Sequence, residues 1–416
     1  VLAVLPTGFG KSVCFQVPAL LDGGTTAVVS PLISLIEDQV AGARSRGIAA
    51  RAWTSVTGAG ERAVLWRELR EGSLRLLYVS PERLEHRAAR RLLAAIRPRR
   101  LVVDEAHCVT EWGHEFRPAY RRIGLAHRAF GAPPILALTA TATARTRRDI
   151  ERSLGLREPV RVLLPVDRSN LLVAVRVAGD IGDALVELVA ALRHAGGAAI
   201  VYARTRERSA RLAIALSRRG LPAAAYHAGL PAERRRWVQR RFLEGRLRVV
   251  CATSAFGMGI DHPRVRFVGH LGAPPSLEDY VQECGRAGRD GRPGRCVLWW
   301  IDGRDRHEWK VDGRARVDAR ARARAEAVWR YVTHTGCRRA FIARYFGERR
   351  PSCGGCDRCA PRTPSAAPGP KPVRGGPETP RARAMGRETP SPRPPPPRSS
   401  RSTRRSDTRG RDRSSP

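Results

Sequence analysis

Through the first 300 residues, short apolar runs recur between longer mixed stretches. Residues 1–5 (Val-Leu-Ala-Val-Leu), 27–30, 74–79, 101–103 and 135–138 are each brief and rich in Val, Ile and Leu. That is the pattern of strands buried on both faces, as in a parallel sheet. The intervening stretches carry apolar residues at helical spacing, which predicts a helix ending near residue 21 and another over 31–40. The alternation restarts near Pro165, with strands expected at 199–202, 223–226, 248–253 and 265–270 and helices at 204–217 and 276–284. Strands alternating with helices argue for parallel sheets covered on both faces. The expected fold class is therefore α/β, in two successive units over residues 1–160 and 161–300.

The polar residues that break this pattern stand where strands end, which is where ligands bind in open α/β sheets. The first strand runs into Pro6-Thr7-Gly8-Phe9-Gly10-Lys11-Ser12. Glycines there let backbone N–H groups close on phosphates, Lys11 reaches the outer phosphates, and Ser12 can ligate Mg²⁺. The longer phosphate-loop pattern has a further glycine where this chain has Leu5, so the match is to the shorter form. A Gly-rich turn with one surface lysine would look similar. The run 101–103 ends in Asp104-Glu105, where Asp104 can hold Mg²⁺ and Glu105 can act on a water. Beyond it, Trp112, His114, Phe116, Arg117 and Tyr120 crowd onto an expected loop, a composition that can stack on single-stranded bases. The hydroxyl-rich Thr139-Ala140-Thr141-Ala142-Thr143 follows another strand. It can relay between sites or cap the next helix. Arg286 and Arg289, three apart at a helix end, are expected on one face, where one could serve as an arginine finger.

Composition sharpens this picture. The 416 residues allow two or three domains, and the formal net charge of +37 points to a polyanionic partner, nucleic acid above all. The basic residues are nearly all Arg; the lysines are Lys11, Lys310 and Lys371. That skew follows genome base composition as readily as function. No run of 18 or more apolar residues occurs, so no transmembrane helix is expected, and no membrane partner. Nine cysteines, four of them near one end, do not form a secreted disulfide framework, and a cytoplasmic location is expected. The chain starts on Val1 inside a strand, which is expected of a fragment.

Cys337, Cys353, Cys356 and Cys359 have the spacing C-x15-C-x2-C-x2-C. Four thiolates suit a structural Zn²⁺, and an iron–sulfur cluster is the competing reading of the same spacing. Cys337 is expected to start a helix. Cys14, Cys108, Cys251, Cys284 and Cys296 read as small packing residues. From Pro361 onward the chain holds 14 of its 31 prolines and 14 Lys and Arg against 4 Asp and Glu. Such a tail, 361–416, cannot bury a core and is expected to be disordered, adding salt-sensitive DNA affinity.

In order along the chain stand Pro-Thr-Gly-Phe-Gly-Lys-Ser, Ser30-Pro31-Leu32-Ile33-Ser34, Asp-Glu-Ala-His, Leu138-Thr139-Ala140-Thr141, Phe256-Gly257-Met258-Gly259-Ile260-Asp261 and Gln282-Glu283-Cys284-Gly285-Arg286-Ala287-Gly288-Arg289. The set resembles the superfamily 2 helicases, and the aromatic segment from Asp104 to Gly124 resembles that of the RecQ DNA helicases. The resemblance covers residues 1 to about 360 and implies two RecA-like lobes, a helical zinc-binding subdomain over 301–360 and a tail. It implies that Thr7, Gly8, Phe9, Gly10, Lys11 and Ser12, with Gly259 and Asp261, bind ATP and Mg²⁺. It further implies that Asp104 positions Mg²⁺ and Glu105 orients the attacking water. Gln282, Arg286 and Arg289 would complete the catalytic set, with Arg289 as the finger. Trp112, His114, Phe116, Arg117, Thr253 and His227 would contact DNA, and the four cysteines would hold Zn²⁺. The implied activity is ATP-dependent, 3′-to-5′ unwinding of single-stranded and partly duplex DNA by a monomer, in repair or recombination, associated with the nucleoid in a bacterium. Two departures bear on this. The adenine-recognition segment would lie upstream of Val1, and no apolar pattern for a winged-helix domain follows Cys359. The same residues could also belong to an RNA helicase, or to a truncated, impaired DNA-binding zinc protein.

Overall fold

A computed structural model describes residues 1–110, 117–257, 262–302, 305, 319–348, 353 and 355–359. The expectations for Trp112, His114, Phe116, Gly259, Asp261 and the tail fall outside the described residues.

Two parallel sheets organise the chain. The first is built from β1 (Leu2–Val4), β2 (Thr26–Val29), β3 (Ala50–Trp53), β4 (Leu76–Val79), β5 (Arg100–Val103), β6 (Ile135–Thr139) and β7 (Arg161–Leu163), in the order β3-β4-β2-β5-β6-β1-β7. β2, β4 and β5 are buried on both faces because helices cover both, which is why they read as unbroken apolar runs. Leu77, Val79, Leu101 and Val103 pack on one side, and Val28, Leu76, Tyr78 and Val102 on the other. Fully burying such side chains contributes about 1.5–3 kcal/mol each.

The second sheet holds β8 (Leu171–Ala178), β9 (Ala198–Ala203), β10 (Ala223–Tyr226), β11 (Val249–Ala252), β12 (Val265–Leu271) and β13 (Gly294–Ile301), in the order β10-β11-β9-β12-β13-β8. All registered pairs in both sheets are parallel. Residues 164–170 pass from one sheet to the other. The helices Ala319–Thr333 and Arg338–Tyr345 pack onto the second sheet, and Val328, Tyr331, Ile342, Phe346 and Cys356 lie in the same core as Val173, Leu298 and Trp300. The cysteine-bearing segment thus shares its core with the second lobe.

Of the five remaining cysteines, Cys108, Cys251, Cys284 and Cys296 are buried, as packing residues should be. Cys14 is exposed, because it falls on the outward side of the helix Val13–Leu21, whose buried residues are Phe15, Gln16 and Ala19.

Candidate nucleotide site and metal centre

The C-terminal ends of β1, β6 and β5 lie side by side, since β6 pairs with both others. This brings the glycine loop, the threonines and the acidic pair to one edge of the sheet. The loop turns over the end of β1 into the helix Val13–Leu21. Gly8 and Gly10 have φ of 84° and 83°, a left-handed conformation that a side chain would strain. Lys11 folds back and donates from Nζ to the Leu5 carbonyl at 3.4 Å. Ser12 sits at the helix N-cap without spending its hydroxyl on a capping bond, and Phe9 is exposed. Thr7 faces the second lobe, lying against Gly285.

Asp104 and Glu105 are both buried. Asp104 accepts from the Glu105 amide at 3.0 Å on one oxygen and from Gln39 Nε2 at 2.9 Å on the other. Glu105 has φ of 47°, a conformation uncommon for a residue with a side chain and frequent at functional sites. Its carboxylate lies 3.4 Å from His107 Nδ1, which in turn sits 2.9 Å from Thr139 Oγ1. Thr139 spends its own hydroxyl proton on the Thr141 carbonyl at 3.1 Å. With the Thr139 proton on Thr141, Thr139 Oγ1 can accept from His107 Nδ1. His107 thus stands between the acidic pair and the end of β6. Thr143 instead caps the helix Ala144–Leu154 by accepting from the Thr146 amide. The capping use of the hydroxyl run thus falls to Thr143, while Thr139 bonds to His107 and Thr141. Beneath the pair, Tyr120 donates to the Asp104 carbonyl at 3.0 Å, and burial pushes its phenol well above the ordinary value, so it stays a donor.

The helix Leu277–Cys284 ends before the two arginines, in tight turns over 285–288. Arg286 and Arg289 consequently do not share a helical face. Arg286 is buried and donates to the Gly257 carbonyl inside the second lobe. Arg289 reaches the first lobe: a Cβ added to Gly8 would lie 3.1 Å from Arg289 Cγ. Gln282 is half-buried one turn earlier. Gly8 is thus a cradle that any side chain would fill, with a cation from the other lobe laid across it. That donor set, with Lys11, Ser12 and the carboxylates, fits a magnesium-bound polyphosphate.

His227 and Thr253 follow the neighbouring parallel strands β10 and β11 and are half-buried. Burial, then the Arg206 charge, holds the His227 imidazole below its ordinary value, so it is neutral at pH 7. Arg117 donates from its amide to Cys108 O at 3.1 Å and from Nη1 to Glu82 at 3.2 Å. On the other side of residues 111–116, the Thr110 hydroxyl donates to Asp149 at 3.0 Å. Both flanks of the aromatic segment are therefore fastened to the framework that carries the acidic pair.

The thiols of Cys337, Cys353, Cys356 and Cys359 lie within 4.8 Å of one another, with Sγ separations of 3.5 Å for Cys337–Cys353 and 4.0 Å for Cys337–Cys356. Four sulfurs at Zn–S bond length in a tetrahedron would stand about 3.8 Å apart. Cys337 is the N-cap of Arg338–Tyr345. Burial pushes its thiol up, but the amides of Ala340 and Cys353 and the thiols of Cys353 and Cys359 bring it down to about 7, while burial pushes Cys353 and Cys359 themselves up. These residues fit Zn²⁺.

Sequence reasoning did not single out Gln39, His107, Arg168 or Asn170. Gln39 meets Asp104 across 65 residues of chain, and no local pattern announces such a contact.

Residues 1–150 match the DEAD/DEAH box helicase family, residues 181–291 the helicase conserved C-terminal domain, and residues 302–360 the RecQ zinc-binding family. The chain is 40% identical over 369 residues to the ATP-dependent DNA helicase RecQ of Bacillus subtilis, covering 86% of this chain and 61% of that protein. It is 39% identical over 388 residues to ATP-dependent DNA helicase Q5 of Mus musculus, covering 86% of this chain and 40% of that one. Among solved structures, Mycobacterium smegmatis helicase Lhr bound to ssDNA and AMP-PNP superposes with a TM-score of 0.56 at 26% identity, over 72% of this chain and 44% of that chain. Dbp5 of S. cerevisiae, solved with RNA and ADP BeF3, shares the fold at a TM-score of 0.59 and 16% identity, over 80% of this chain and 83% of that chain. The chain spans about half the length of the curated relatives it matches. With these matches in chain order, two parallel-sheet lobes and a four-thiol centre, the chain belongs to the RecQ family of DEAD/DEAH-box helicases.

Proposed function

We propose that the protein is an ATP-dependent DNA helicase or translocase that couples ATP hydrolysis to 3′-to-5′ movement on single-stranded DNA and to duplex opening in repair or recombination. The observation that carries this reading is the laying of Arg289 from the second lobe across Gly8 of the first. A nucleotide site whose last cation comes from the other lobe makes lobe closure a condition of hydrolysis.

In this reading Thr7, Gly8, Phe9, Gly10 and Lys11 hold the phosphates. Ser12 and Asp104 hold Mg²⁺, which supplies charge neutralisation when bound, and Gly259 and Asp261 complete the nucleotide contacts. Glu105, steadied by His107, orients the attacking water. Arg289 stabilises charge on the transferring phosphoryl group, with Gln282 and Arg286 behind it. Trp112, His114, Phe116, Arg117, His227 and Thr253 hold the strand. Because Arg117 is bonded to Cys108, three residues after Glu105, and Thr110 to Asp149, strand binding between them can reset Glu105.

The deciding measurement is ATP turnover with and without single-stranded DNA, in the wild type and in Lys11→Ala. Turnover should rise with DNA and fall by at least about 10²-fold in the variant, as expected for loss of a charge-stabilising group. No turnover by the wild type would leave a DNA-binding zinc protein, and stimulation by RNA alone would make it an RNA helicase. Replacing Trp112 and Phe116 together with Ala should weaken single-stranded DNA binding by ~1–3 kcal/mol per lost stack. The ratio of stimulated to unstimulated turnover should drop towards one. A ratio equal to that of the wild type would reduce the segment to packing.

A further inference from the structure

The passage between the lobes is gripped on both sides. Asp167 accepts a two-point ion pair from Arg339, at 2.6 Å for both Nε and Nη2, and both side chains are more than nine-tenths buried. Arg339 lies two residues beyond Cys337 on the helix of the metal centre. From that same segment, Glu348 accepts from the Val166 amide at 3.0 Å.

The next residue points the other way. Arg168 donates from Nη1 to the carbonyls of Gly285 at 2.8 Å and Ala287 at 3.0 Å, and from Nη2 to that of Gly288. Asn170 Nδ2 donates to Gly288 O and Arg292 O, each at 2.8 Å. Gly288 has a φ of 55°, and a Cβ there would lie 2.5 Å from Asn170 Nδ2 and from Arg292 O. Burial lowers the Arg168 guanidinium from its ordinary value, as expected where carbonyls have replaced water. These carbonyls belong to the turn that delivers Arg286 and Arg289.

We infer that residues 167–170 are a positioning element that sets the arginine-bearing turn against the phosphate loop and, through Asp167, makes that setting depend on the metal centre. Its effect on turnover rests on the proposed role of Arg289. The geometry behind it does not. A misplacement of about 1 Å in a positioned group costs roughly 10²-fold in rate, and Arg168 alone holds three of the turn's carbonyls.

The test compares Arg168→Met, Arg168→Lys and Asp167→Asn with the wild type in the full chain. Amide hydrogen exchange over residues 284–292 is followed without nucleotide, and kcat and KM for ATP are measured with single-stranded DNA. In Arg168→Met, exchange over the turn should rise about 10-fold or more. Its kcat should fall roughly 10²-fold while KM moves less than about threefold. Arg168→Lys, which still offers donors, should recover about tenfold of that loss. Asp167→Asn should raise exchange over the same turn by a few-fold at unchanged zinc content. Exchange equal to the wild type in Arg168→Met overturns the positioning role. The same result in Asp167→Asn overturns the link to the metal centre. A KM that rises in step with the fall in kcat, unrelieved by Lys, assigns Arg168 to general stability instead. If Arg168→Met does not fold, the Lys and Asn variants decide both points by exchange. A wild type that hydrolyses no ATP refutes the helicase reading, and the exchange comparison still judges this one.

Discussion

Arg289→Ala should abolish most ATP turnover, by about 10³–10⁵-fold, the worth of an arginine finger in other nucleotide hydrolases. The prediction follows from where Arg289 lies. Its stem packs on Gly8, where a Cβ would lie 3.1 Å from Arg289 Cγ and would push it aside. Arg286, three residues earlier, is committed to Gly257 within its own lobe and should not substitute. Nucleotide binding should change far less than turnover, because Lys11 and the loop amides remain. Rapid-quench measurement of phosphate release, with fluorescent-nucleotide binding alongside, checks both. Glu105→Gln is the companion variant and should cost about 10²–10⁴-fold, the range for a general base. If Arg289→Ala turned over ATP at the wild-type rate, the interlobe mechanism would be lost, whatever Glu105→Gln did.

The second large effect concerns the metal centre. Cys356→Ser, or removal of zinc by a chelator, should destabilise the second lobe as a whole. Structural zinc sites bind with roughly 10–16 kcal/mol of free energy at pH 7, and that energy is coupled to folding. Here the cluster is not a detachable knuckle. Cys356 is fully buried in the core that holds Leu298 and Trp300, and Arg338 beside it bonds Asp357 and the carbonyls of Tyr331 and Val332. Loss of a metal site ranks among the few single changes that cost more than about 4 kcal/mol. For a unit of about 200 residues that is a fall in Tm of roughly 10 °C. Calorimetry with metal analysis measures it, and identical transitions with and without bound zinc would show that the cluster adds nothing to the lobe. One zinc per chain is expected; iron and sulfide in its place would reverse the metal assignment.

The parts legible in the sequence were those whose cause is local. β2, β4, β5 and β6 announce themselves because burial on both faces demands unbroken apolar runs. The loop at Gly8 and Gly10 is readable because its backbone conformation admits glycine and little else. β3 was not readable: Ala50-Arg51-Ala52-Trp53 lies at a sheet edge, half its residues partly exposed, and so shows no run. β8 is eight nearly continuous apolar residues, a length that strand and helix can both claim. The shared face expected of Arg286 and Arg289 failed for a different reason. Helical spacing was carried past Cys284, where the helix stops. Contacts such as Arg168 with Gly285, 117 residues apart, leave no periodic trace, because each half of such a pair looks like an ordinary arginine or turn.

β8 lies at the border of its sheet, and Val173 on it forms a parallel bridge with Cys356, donating to Gly355 O at 3.1 Å and accepting from the Asp357 amide at 3.1 Å. A bare border of this kind is a template on which a second chain can add. By pairing with Val173 the thiol-bearing segment covers part of this border, and demetallated protein is expected to gather into oligomers as the lobe loosens, which light scattering would detect.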